Sequence, residues 1–116
     1  MELLQSTAQI LFIVQIVHSL EELSTNFHKR WFLGKMSFPL FLSFEIVHNF
    51  FWGFVIINHL FPYRTVLLGT FLLLMFANGI EHIVWALWER KYVPGLISAP
   101  LHIIICIIYF FYSRNW

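Results

Sequence analysis

Four mostly apolar runs, at residues 3–23, 38–61, 65–88 and 94–112, constrain this chain more than any other feature of its sequence. An α-helix rises about 1.5 Å per residue and a hydrocarbon core is about 30 Å thick, so a run of about 20 residues is a membrane-spanning length. The 116 residues are 59% hydrophobic and 11% charged, against about 45–50% and 25% in globular domains. A chain this short has too little interior to hide that much apolar surface from water. Within lipid, backbone groups must be satisfied inside each segment, which favours helices over an open sheet. The expected fold is therefore all-α: a polytopic membrane protein with a single transmembrane domain over residues 1–116. The short connections make it an antiparallel four-helix transmembrane bundle.

Pro39 and Pro94 stand in the first turns of their runs, where proline is tolerated. Five of the seven basic residues (Lys29, Arg30, Lys35, Arg90 and Lys91) follow the first and third runs, leaving Arg64 and Arg114 for the other side. The positive-inside rule then predicts an inner-membrane protein with both termini outside. The first run lacks a basic leader and a small-residue cleavage site, so it reads as retained. Trp31, Trp85, Trp88, Tyr63, Tyr92 and Trp116 fall near span ends as interfacial aromatics do, whereas Trp52 reads as packing. His28 and His59 read as solvated span-end groups. Cys106 is the only cysteine, which excludes a disulfide within the chain and a thiolate cluster. A net charge of +1 offers nothing for nucleic acid.

Ionisable groups inside a bilayer cost about 2.5–3.5 kcal/mol each on insertion scales and mark function by default. This chain has many of them. His18, Glu21 and Glu22 share one helix face, as do Glu45, His48 and Asn49, then Asn78, Glu81 and His82, and finally Ser98 and His102. All lie within about ten residues of the ends bearing the basic loops, hence within roughly one and a half turns of one another. One cluster in the cytoplasmic leaflet follows.

Imidazole and carboxylate together ligate iron, zinc and manganese. The expected metal ligands are His18, Glu21, Glu22, Glu45, His48, Glu81, His82 and His102, with Asn49, Asn78 and Ser98 supporting them. Glu45-x-x-His48 matches the helical element of di-iron carboxylate bundles. Equal numbers of carboxylates and imidazoles favour two iron ions and oxidation of a lipid-soluble substrate. No haem, flavin or reductase motif is present, so electrons would come from an external donor. A zinc hydrolase using Glu22 as catalytic base is the alternative, and a metal or proton transporter subunit is another. Oligomers are compatible with either. Gly53 and Gly79 read as packing notches that also suit lateral entry of a chain.

His18-Ser-Leu-Glu21-Glu22 resembles the namesake signature of the HXXEE family of small membrane proteins. Asn78-Gly-Ile-Glu81-His82 is similar to that family's NxxxH element. Pro94-Gly95-Leu-Ile-Ser98 resembles its PGxxT element with Ser98 in place of threonine. The resemblance implies that His18, Glu21, Glu22, Asn78 and His82 matter, without naming a reaction.

Overall fold

Each apolar run becomes a helix in the computed structural model, which describes residues 1–114. The helices are α1 (Glu2–Ser24), the single-turn α2 (Phe27–Arg30), α3 (Phe38–Ile57), α4 (Arg64–Glu89) and α5 (Ala99–Ser113). There is no strand among the described residues. Trp116, expected at an interface, lies outside them. α1, α3 and α4 are each long and apolar enough to cross a membrane by length and composition.

Local chemistry explains the boundaries. Thr25 ends α1 by directing both its backbone N–H and its hydroxyl at the Glu21 carbonyl. Asn26 then reverses the chain in the left-handed region, which asparagine tolerates. Ser37 caps α3 by accepting from the Leu40 N–H, and Pro39 fits the first turn, where no N–H is required. α3 ends at Ile57 rather than at the expected Phe61. Asn58 leaves helical geometry there and takes the Leu60 N–H on its side chain and the Phe61 N–H on its carbonyl.

The fourth run differs more. Its helix begins at Ala99, not Pro94, and its 15 residues extend only about 22 Å. Gly95 has φ +92°, which no α-helix accommodates. Residues 93–95, 98 and 99 form a buried turn instead. Irregular backbone at such depth is tolerated where protein covers it.

Contacts at the two ends of the bundle set the topology. At one end Gln5 donates to the Ile56 carbonyl. Arg64 there donates to the Val55 and Ile56 carbonyls and to the Gln5 side chain. This ties the start of α1, the end of α3 and the start of α4 together. At the other end, His18 and Ser19 of α1 meet Glu45 of α3, His82 of α4 and Ser98 beside α5. The four long helices therefore alternate in direction. α4 and α5 form the most extensive pair, because Gly79 has no side chain. A Cβ there would sit 2.8 Å from the Ala99 carbonyl and 2.8 Å from Ile103.

The core divides along its length. The end bearing Gln5 and Arg64 is apolar, with Leu4, Leu11, Trp52, Val55, Phe71, Met75 and Cys106 buried together. The opposite end has a smaller cluster of Phe27, Phe41, Trp85 and Val93. The polar side chains lie between the two. Outer faces are apolar as well, with Ile13, Val47, Phe50, Ile57 and Phe111 exposed.

Candidate metal centre

Helical spacing puts His18 and Glu22 one above the other on the inner face of α1, and His82 faces them from α4. The Nε2 atoms of His18 and His82 are 3.1 Å apart. One Glu22 oxygen is 3.6 Å from His18 Nε2 and the other 3.3 Å from His82 Nε2. All three residues are buried, and their donor atoms form a group suited to one metal ion. An ion bound at about 2.1 Å separates neighbouring donors by about 3.4 Å in a tetrahedron and about 3.0 Å at adjacent octahedral positions. The observed edges, 3.1–3.6 Å with the two glutamate edges ending on different oxygens, lie close to those values, so the residues fit a metal with a small adjustment.

The proton inventory reinforces that fit. Glu21, immediately before Glu22, turns away from the imidazoles toward the buried turn ahead of α5. It accepts from the Tyr92 hydroxyl at 2.5 Å and from the backbone N–H groups of Gly95, Ile97 and Ser98 at 3.0–3.1 Å. The Ser98 hydroxyl reaches it as well, at 2.7 Å. A carboxylate only accepts, so Ser98 spends its single proton on Glu21. Ser98 Oγ must then accept from His18 Nδ1, 2.7 Å away. Protonation at Nδ1 leaves the lone pair on Nε2, the atom aimed at His82 and Glu22. Partners of this kind commonly fix the tautomer of a metal-binding histidine. Partial burial, then its bond to Glu21, raises the Tyr92 phenol above its ordinary range and keeps it a donor.

Gly95 closes the site from above. A Cβ there would lie 2.5 Å from His82 Cε1, 2.7 Å from His82 Nδ1 and 2.7 Å from His18 Cε1. The edges of both imidazoles come this close only because glycine carries no side chain. His82 Nδ1 is buried with no hydrogen-bond partner among the described residues.

The remaining candidates lie around this trio. Glu45 accepts from Ser19 at 2.5 Å, and Asn49 donates to Ser19 at 3.0 Å and to the Glu45 carbonyl at 2.8 Å. Glu81 accepts from the Trp31 indole at 2.6 Å. Glu22, Glu45, His48, Asn78 and Glu81 all line a cavity of about 580 Å³ between α1, α3 and α4. His48 packs there against Phe44 and Trp52 and does not join the trio. His102 lies edge-on to His18 with centroids 4.8 Å apart, and neither of its ring nitrogens has a hydrogen-bond partner among the described residues.

Three sequence expectations need correcting. Trp31 is a cavity wall bonded to Glu81 as well as a span-end residue. Trp85 is only 1% exposed and belongs to the core. His28 is buried against Phe38 and Phe41 rather than solvated. The part played by Tyr92 was hidden in the sequence; Gly95 was signalled by its place after Pro94, which marks a turn, and by the PGxxT resemblance, but not its contact with the imidazoles.

A family model described as a protein of unknown function with HXXEE motif matches residues 9–110. No curated protein and no solved structure matches the chain.

Proposed function

Because the chain belongs to the HXXEE family, whose signature residues His18 and Glu22 meet His82 here while Glu21 holds the adjoining turn, we propose that it is an integral-membrane, metal-dependent enzyme acting on a lipid-soluble substrate. The observation carrying this reading is the buried trio of His18, Glu22 and His82. Two histidines and one carboxylate are the donor set of non-haem iron oxygenases, and of one class of catalytic zinc site. We assign one ion rather than two. Glu21 is engaged by the α5 turn, while His48 and Glu81 face the cavity.

The membrane assignment rests on the three long apolar helices and the apolar outer faces. The site lies at the end bearing Lys29, Arg30, Arg90 and Lys91, which under the positive-inside rule supports a position in the cytoplasmic leaflet. The shorter α5 completes a four-helix transmembrane bundle, with its buried turn held by Glu21.

The chain's own residues divide the work. His18 and His82 present neutral nitrogens, Glu22 supplies charge, and Glu21 with Ser98 holds His18 in register. The bound ion would supply redox or Lewis-acid chemistry. We favour iron and oxidation, which consumes dioxygen and two electrons from a donor outside the chain. Zinc hydrolysis is the second reading, favoured by Glu45, whose carboxyl lies beside Glu22 and can serve as base. A transport path is disfavoured because the core beyond the site is a continuous apolar plug around Trp52, Phe71 and Met75.

Elemental analysis of detergent-purified protein tests the proposal. One iron per chain supports oxidation and one zinc supports hydrolysis. A preparation that neither retains nor takes up either metal refutes both.

A further inference from the structure

The cavity beside the trio carries information about what enters it. Phe27, Phe41 and Met75 form its depth. Leu40, Phe44 and Leu74, at 60%, 60% and 45% exposure, border its side between α3 and α4. In a bilayer that side faces acyl chains. Its volume of about 580 Å³ falls within the usual range for small-molecule sites.

The polar end is unbalanced. Glu22, Glu45 and Glu81 line it, and among the described residues no lysine or arginine does. Hydrogen bonding is skewed in the same direction. Ser19 gives its only proton to Glu45, so its oxygen must accept from the Gln15 amide. That fixes the amide orientation and leaves Gln15 Oε1 with no donor among the described residues, on a cavity-lining residue only 3% exposed. An orphaned buried acceptor is unfavourable until a donor meets it. His48 and Asn78 are the other polar groups on the wall, and neither is a fixed positive charge.

We propose that the cavity binds a single-chain amphiphile with a positively charged, hydrogen-bond-donating head, an alkyl ammonium, and discriminates against anionic heads. The apolar chain occupies the side facing lipid, and the ammonium meets Glu45, Glu81 and Gln15 Oε1. This rests on the lipid-soluble substrate reading above, but not on the identity of the ion.

Trp31 on the cavity wall supplies the probe. Protein in neutral maltoside detergent is titrated with bromododecylammonium and with bromododecyl sulfate, and quenching of tryptophan fluorescence is followed. The expected result is saturable quenching by the ammonium at roughly tenfold lower concentration than by the sulfate, with most of that component absent in Trp31→Phe. Glu81→Gln should reduce the preference severalfold while metal content, measured on the same sample, stays unchanged. Glu45→Gln should reduce it as well. Equal quenching by the two chains overturns the proposal, as does a preference that survives both glutamate substitutions. Either outcome, with metal still bound, leaves the metal-centre reading standing.

Discussion

Replacing Gly95 with alanine should destroy the metal site while leaving the helices in place. At φ +92° an L-residue carries a backbone penalty of about 1–3 kcal/mol. The larger effect is steric. The new methyl would begin 2.5 Å from His82 Cε1 and 2.7 Å from His18 Cε1. Restoring an ordinary contact of 3.4 Å needs about 0.9 Å of movement by the His82 ring or by the turn. Metal ligands tolerate about 0.2 Å. His18 cannot yield freely, because Ser98 holds its Nδ1. Movement of the turn would instead pull Ser98 and the backbone donors away from Glu21. Changing a partner that merely orients a ligand costs about 10–100-fold in affinity, so displacing donors directly should cost about 100-fold or more. Competition against a chromophoric chelator measures the affinity, and circular dichroism checks the helices. Gly34→Ala is the control, because a Cβ there has nothing within 4 Å. Wild-type affinity in a folded Gly95→Ala protein would refute the packing of both imidazoles against this turn.

Glu22→Gln and His82→Ala should each abolish metal stoichiometry in elemental analysis while the protein still inserts; full metal content in both would remove the ligand assignment. Ser98→Ala should weaken metal about 10–100-fold by freeing the His18 tautomer. Ser98→Thr, which keeps the hydroxyl, should restore most of that loss in the same chelator titration. Arg64→Met should lower stability by about 3 kcal/mol, because the Val55 and Ile56 carbonyls and Gln5 lose a charged donor. It should leave metal affinity unchanged, since 18 residues of α4 separate it from His82, about 27 Å along the helix; thermal melting and chelator titration read the two effects separately.

Helix and polar-stripe assignments were legible in the sequence because both are local properties. Apolar run length defines a helix of given reach, and i, i+3, i+4 spacing puts His18 with Glu22 on one face whatever surrounds them. The common level of the stripes likewise follows from residue counts along antiparallel helices. Division of labour within the stripes was not legible. Glu21 and Glu22 are neighbours of identical chemistry, yet about 100° of helical rotation sends one to the α5 turn and the other to the imidazoles. Only the packing of α1 against α5 decides which does which. The start of α5 was hidden for the same reason: an apolar run after Pro94 reads as helix until Glu21 reaches Tyr92 and Gly95 from a distant part of the chain. Trp31, too, looks interfacial until α4 brings Glu81 to its indole. Periodicity along one helix determined which side chains face inward, and the contacts between helices decided which of them meet, since that depends on rotations and heights no single segment encodes.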